Sequence, residues 1–320
     1  MRTLVLAVVS AVAWLPSAPA AAGYPERPVR VIVPYAPGGG SDTIARVIGQ
    51  KLSERLKQPF VIDARPGAAS LIGTEIAAKA NGDGYTLILS DVPHVINPAT
   101  AAKPSYDAVK DFTPIMRVAT SSQVLSAHPS FKSASLRDLL ALPREQTAKL
   151  SLATTGQGGS PHMTFELLRI RTGLALNVVP YKGGAPAIAD LVANQVPLAI
   201  TGSPVVVGHI KAGRIRGLGM TRDKRHPLLP DVPTFIESGV ADFVVAHWYG
   251  FLAPAGTPRP VVKILHQEIG RALEQADVQE RLANLALDLA PLGPEEFGKM
   301  IESDVRRWKE VVAKSGIKLN

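Results

Sequence analysis

Two glycine-bearing loops hold the residues of this chain that are best suited to chemistry. Pro37, Gly38, Gly39 and Gly40 follow an apolar run from Val29 to Tyr35. Ser41 and Asp42 then open a stretch with Ile44, Ala45, Val47, Ile48, Leu52 and Leu56 at helical spacing. A strand that runs through glycines into a helix brings bare backbone close to a ligand, and the helix start offers unpaired N–H groups that favour an anion. The loop therefore reads as a carboxylate site, with N–H groups from Gly38 to Thr43 holding the anion directly or through water. The plainer reading is a tight turn capped by Ser41 or Asp42. No Gly-Lys-Ser/Thr follows at the spacing a phosphate-binding P-loop needs.

The second loop runs from Thr154 to His162. Thr155, Gly156 and Gly158 lead into Ser160-Pro161, which reads as an N-cap followed by proline at the first helical position. Thr155, Ser160 and His162 would hold the far end of the same ligand. A serine two residues before a histidine also admits an exported serine hydrolase. However, Gly158-Gly159-Ser160-Pro161-His162 is not a Gly-x-Ser-x-Gly elbow, and Pro161 breaks the dinucleotide fingerprint. The chain is read as a binding protein rather than an enzyme, with no catalytic residue.

Other candidates sit after further strand-like runs. Ser90, Asp91 and His94 follow Tyr85–Leu89. Arg65, Gly67 and Ala68 follow Phe60–Asp63, where Arg65 could pair with a ligand or clamp a neighbouring Asp. Tyr181 follows Asn177–Pro180 and could close over the ligand, and Thr201 ends Pro197–Thr201. Asp91 and His94 alone are too few for a metal, and no His-Glu-x-x-His exists. No metal and no cofactor are expected.

The elements that must position these loops alternate between strand and helix patterns, which predicts an α/β fold with largely parallel sheets. Leu150–Ala153 and Ile215–Met220 are further strands. Helices start at Thr257-Pro258 and Gly293-Pro294, and their apolar stripes are core. In open α/β sheets, ligands bind beyond the carboxyl ends of strands, in a crevice between halves. Two helix-start sites thus suggest two lobes facing one small anion. The Val33-Pro34-Tyr35 and Val179-Pro180-Tyr181 triplets hint at similar lobes, and Arg117–Pro129 and Phe243–Pro254 are candidate crossovers.

Composition narrows the class. Arg2, the apolar run Leu4–Leu15 and the small residues Ala18, Ala20 and Ala22 read as a cleaved signal peptide over residues 1–22. The remainder suits two domains, expected over 23–122 with 250–320 and over 123–249. The 320 residues include no cysteine, which excludes disulfides, thiolate metal sites and lipid attachment at a cysteine. The formal charge of +8 is spread along the chain, and aromatic residues, only 5 %, do not alternate with basic ones, so no nucleic-acid partner is expected. A free, soluble, exported monomer is the expected state.

The stretch YPERPVRVIVPYAPGGGSDTIAR resembles the opening of the tripartite tricarboxylate transporter substrate-binding proteins, the Bug family of extracytoplasmic solute receptors. So do ARPGAASLIGTEIAAKANGDGYTL, HVINP, VKDFTPI, TTGQGGSPHM, VPYKGGAPAIADLVANQVPLAI, HIKAGRIRGLGMT, LPDVPTFIESG and WYGFLAPAGTP. The resemblance covers the whole mature chain, and the joint order of these strings is highly specific. It implies a type II periplasmic binding-protein fold whose two α/β domains close on a small organic carboxylate by a hinge. It also implies a partner, the membrane subunits of a tripartite tricarboxylate transporter, with a sensor feeding a signalling receptor as the alternative. Carried over, the first loop maps to Pro37–Asp42 and the second to Thr155–His162, with Ser90–His94 and Arg65–Ala68 contributing. Two departures stand out. Thr201-Gly202 replaces the Asp-Asn of many relatives, which argues against a ligand whose amino group needs a carboxylate partner. The run Ala101–Ser105 lacks the usual apolar residue before proline.

Overall fold

The structure, a computed structural model, describes residues 23–101 and 104–315. The expected signal peptide lies outside the described residues, as do Ala102 and Lys103 of the altered Ala101–Ser105 run.

The chain opens with β1 (Val29–Val33), α1 (Gly40–Leu56), β2 (Phe60–Ala64), α2 (Leu71–Ala78) and β3 (Thr86–Asp91), followed by α3 (Pro93–Thr100). β1 pairs in parallel with both β2 and β3. The same unit recurs later as β5 (Ser151–Thr154), α6 (Ser160–Thr172), β6 (Asn177–Pro180), α7 (Gly184–Val192) and β7 (Leu198–Gly202), with β5 in parallel between β6 and β7. Two short helices, α4 (Leu136–Leu140) and α5 (Arg144–Thr147), precede the second unit. α8 (Ser203–Lys211) and β8 (Arg216–Met220) follow it. The chain ends with β9 (Ala246–Pro254), α9 (Arg259–Leu273), α10 (Ala276–Ala283), β10 (Asp288–Leu292) and α11 (Pro294–Ser315).

The two units are joined by antiparallel strands, not by the parallel ones the alternation suggested. β4 (Phe112–Ala127) is 16 residues long. It pairs with β9 from Phe112 to Ser122 and with β7 from Gln123 to Ala127. The strand order is β2-β1-β3-β9-β4-β7-β5-β6, with β8 and β10 also on β4. A two-lobed α/β architecture results, in which one long strand serves both halves.

Period-2 alternation decides which core each strand residue enters. Val29, Val31 and Val33 face one apolar cluster under α1 and α9, whereas Ile32 and Ile88 face another with Val95 of α3 and Trp308 of α11. In the second half, Leu125 and Leu152 pack with Phe165 of α6. Their neighbours Val124 and Ala153 pack with Ile188 of α7 and Val206 of α8. Both sheets are therefore covered on both faces, which fixes strand register and aims the strand ends at one cleft.

The topology revises one sequence reading. The counterpart of β1 is β5, so the two glycine loops, β1–α1 and β5–α6, are equivalent by position. The Val-Pro-Tyr triplets lie at the ends of β1 and β6, which are not equivalent strands.

Candidate functional site

Four helices begin at a cavity between the two halves. Its wall is built from Gly39, Gly40 and Ser41 of α1, Thr155 and Pro161 at α6, Gly183, Gly184 and Ala185 at α7, and Gly202, Pro204 and Val205 at α8. The N-caps of these helices are Gly39, Gly159, Gly183 and Gly202, and none makes a side-chain capping hydrogen bond. By contrast, α4 starts with a full capping box between Ser135 and Asp138. Helices that converge without side-chain caps leave first-turn N–H groups for a ligand, and their dipoles favour negative charge. Gly183, at φ 144°, holds a backbone conformation that L side chains rarely adopt. The cavity opens to solvent, and its space with the mouth counted in is about 570 Å³.

The opposite wall comes from strand ends: Tyr35 after β1, Asp91 at the end of β3, Gln123 on β4, and His247 and Tyr249 on β9. Asp91 accepts hydrogen bonds from the Tyr35 hydroxyl at 3.0 Å and from His247 Nε2 at 3.1 Å. Burial, then the Asp91 charge, raise the pKa of Tyr35, and burial raises that of Tyr249, so both phenols stay protonated. Tyr249 lies 3.2 Å from Ser121 Oγ.

The candidate residues divide between this wall and other duties. Gly39, Gly40, Ser41, Asp91 and Thr155 line the cavity. Pro37 and Gly38 are exposed, and the Gly38 N–H donates to Asp42 Oδ2 at 3.0 Å. Asp42 is buried and paired with Arg46, so it braces the loop from behind instead of facing a ligand. Arg65 pairs with Asp63, the clamping alternative. Gly67 and the exposed Ala68 begin a run of positive φ that continues through Ala69 and Ser70 and is held by Asn97 Nδ2 on Ala69 O at 3.0 Å. Gly156 packs against Ala69 across the cleft. Tyr181 turns to Asp190 at 2.7 Å, away from the wall, and its pKa is pushed up to about 12 by burial and that carboxylate. Ser90 is buried in the ladder opposite Gly250 of β9. Thr201 is buried beside Gly202, its Oγ1 without a partner.

His94 stands apart from the cavity. It is fully buried against Tyr106, Phe112 and Trp248, with Nε2 2.8 Å from the Ala108 carbonyl oxygen, because α3 turns its apolar face and this imidazole into the core.

The second loop also departs from its reading. The N-cap is Gly159, and Ser160 is the first helical residue, since Gly159 holds the extended conformation (φ −64°, ψ 164°). Ser160 Oγ accepts from Gln123 Nε2 at 3.2 Å. His162 Nδ1 accepts from the Gly158 N–H at 2.8 Å, which leaves it no lone pair on that side for a serine proton. Burial lowers the His162 pKa. A hydrolytic Ser-His pair is not assembled. Among the described residues no group of three His, Asp or Glu could hold a metal ion, and no helix is long and apolar enough to cross a membrane.

Tyr35, Gln123, Pro204, Val205, His247 and Tyr249 were not among the sequence candidates. His247 and Gln123 do leave a trace, His247 as a polar residue inside an apolar strand and Gln123 at the end of the polar run Thr120-Ser121-Ser122 within β4.

Comparison with known proteins agrees with this geometry. Residues 44–317 match the family described as the tripartite tricarboxylate transporter family receptor. Protein BugT of Bordetella pertussis is 34 % identical over 98 % of this chain and 97 % of its own. The structure of Rhodopseudomonas palustris Rpa4515 with adipate superposes with a TM-score of 0.88 at 33 % identity, covering 92 % of this chain and 99 % of that one. MatC from the same organism, with bound malate, gives a TM-score of 0.85 at 32 % identity over 90 % of this chain and 100 % of its own.

Proposed function

This chain belongs to the tripartite tricarboxylate transporter receptor family, and on that premise we propose that it captures one small organic carboxylate and hands it to the membrane subunits of such a transporter. The observation that carries the reading is the convergence of four helix starts, all glycine-capped and none capped by a side chain, on one cavity. A carboxylate there accepts from first-turn N–H groups that no side chain caps, and it does so beside the positive ends of the dipoles. The adipate and malate bound by two related proteins support the same class of ligand. No chemistry is done on the ligand: closure buries it, and the difference in affinity between open and closed forms is what the transporter reads.

Residues 23–122 with 250–320 form one lobe and 123–249 the other, a division supported by β4 leaving β9 for β7 between Ser122 and Gln123. The receptor works as a monomer in the periplasm after export by the segment 1–22.

A thermal-shift screen of refolded, ligand-free protein tests this. Mono-, di- and tricarboxylates, aromatic acids and acidic amino acids are compared with sugars and amines. A ligand that binds only the folded state raises the melting temperature with saturation. The space beside Gly39 is open, so Gly39→Asp sets a carboxylate at the start of α1 without a clash and should weaken the best acid at least about tenfold. A silent acid panel, or unchanged affinity in the Gly39→Asp protein, would sink the assignment.

A further inference from the structure

The wall opposite the helix starts has the reverse electrical character. Asp91 is 2 % exposed, and among the described residues the imidazole of His247 is its neighbour, 3.1 Å away, with no lysine or arginine within ion-pair distance. Gln123, 1 % exposed, shares this wall and is held by two contacts from its amide nitrogen, to Ser160 Oγ at 3.2 Å and His247 Nδ1 at 3.3 Å. The imidazole decides which way round that amide sits. In the neutral tautomer that sets Nε2–H on the Asp91 carboxylate, Nδ1 presents a lone pair and takes the amide N–H. Gln123 Oε1 is thereby left over, a buried acceptor with no hydrogen-bond partner. A carboxylate and an amide oxygen thus flank one imidazole, both on the cavity wall.

Gln123 Oε1 calls for a donor, and Asp91, which already accepts from the Tyr35 hydroxyl and His247 Nε2, calls for a positive charge. A plain carboxylate ligand brings none. A hydroxyl brings one proton and no charge. An ammonium brings three protons and a positive charge to set against Asp91. The residues at 201 and 202 offer no carboxylate, but Asp91 stands at the equivalent strand end of the other lobe and does.

We propose that the cleft selects amino-carboxylates, with the ligand carboxylate on the helix starts and its ammonium on Asp91 and Gln123 Oε1. This rests on the carboxylate reading above and names the class of ligand within it.

The test is isothermal titration of the refolded full-length mature protein with matched acids that differ only in one substituent. The sets are succinate, malate and aspartate; glutarate, 2-hydroxyglutarate and glutamate; propionate, lactate and alanine; and 3-phenylpropionate, phenyllactate and phenylalanine. In the set that binds best, the amino member should be at least about tenfold tighter than the unsubstituted one, with the hydroxy member between them. Asp91→Asn should shrink that ratio to about threefold or less. An unsubstituted or hydroxy member that binds as tightly as the amino one overturns the inference while leaving the carboxylate receptor intact, and so does an Asp91→Asn protein that keeps the full ratio. Silence from every acid overturns both. The ranking in the unaltered protein decides the matter even if Asp91→Asn fails to fold.

Discussion

Gly40 stands where the two lobes meet, and adding one methyl there should tax closure most. A Cβ on Gly40 would lie 3.0 Å from the Tyr249 hydroxyl and 3.1 and 3.3 Å from Cγ and Cβ of Pro204. Ordinary carbon contacts start near 3.4 Å, so the neighbours must retreat by a few tenths of an ångström. Neither is free to do so. Pro204 is a rigid ring in the first turn of α8, and the Tyr249 hydroxyl sits 3.2 Å from Ser121 Oγ. Overpacking of this kind costs about 1–3 kcal/mol. Gly40 and Pro204 lie on opposite sides of the cleft, so the Pro204 contact loads the closed, liganded form, whereas Tyr249 shares a core cluster with α1 and loads both forms; Gly40→Ala should weaken the best carboxylate by about 5-fold or more. The ligand-free protein should lose less, since the Tyr249 contact is offset by the helix preference of alanine, up to about 1 kcal/mol. Titration calorimetry gives the affinity and a thermal melt gives the stability. Gly208→Ala, on the exposed side of α8 with nothing within 4 Å, is the matched control and should not change affinity. Unchanged affinity in Gly40→Ala would refute the closure argument, and a free protein destabilised as much as binding is weakened would move the strain into the lobe itself.

Three further outcomes follow from the fold. Burial lowers the His94 pKa from 6.5 to about 4, so the unfolded chain binds the extra proton between those values. Stability is complete above about pH 6.5 and is lost as pH falls toward about 4, by about 3 kcal/mol from this group. Urea unfolding at pH 7.5 and 4.5 measures it, and a His94→Gln protein with the same acid loss would show the source lies elsewhere. Gly250→Ala would place a Cβ 2.4 Å from the fully buried Phe297 ring and 3.1 Å from the Met116 carbonyl oxygen, and should cost about 1–3 kcal/mol, partly recovered with Phe297→Leu. Equal melting points for Gly250→Ala and the parent would contradict this. Ala68 holds φ 45°, so Ala68→Gly should stabilise by up to about 1 kcal/mol, and a drop in melting temperature would mean the strain is not there.

What could be read from the residues alone was local. The strand running into Pro37–Gly40, the helix starts at Pro258 and Pro294 and the strands at Asn177–Pro180 and Ile215–Met220 are set by short-range pattern and appear in the fold within a residue or two. The central antiparallel pair was not legible as such, because β4 and β9 meet only through pairing across a large part of the chain. The helix-start half of the cavity was visible because glycines mark it. The strand-end half was not, since Gln123, His247 and Tyr249 lie within β4 and β9 and reach the cavity only through pairing across a large part of the chain. His94 illustrates the reverse error. A histidine after a strand end looks available, yet Val92, Val95 and Ile96 around it already mark a buried helix face.

The pairing of β3 with β9 also sets an order of assembly. Ile88 must find Leu252, and Asp91 must find Tyr249. β5, β6, β7 and β8, with the second half of β4, are complete by Met220, so that ladder can close without the C-terminal segment. The β2-β1-β3 ladder, although synthesised first, waits with the edge of β3 open, and an open edge is a template for another chain. The early half is therefore the late folder. A chain cut before Ala246 would keep the ladder of the later half and leave the earlier one to aggregate through β3.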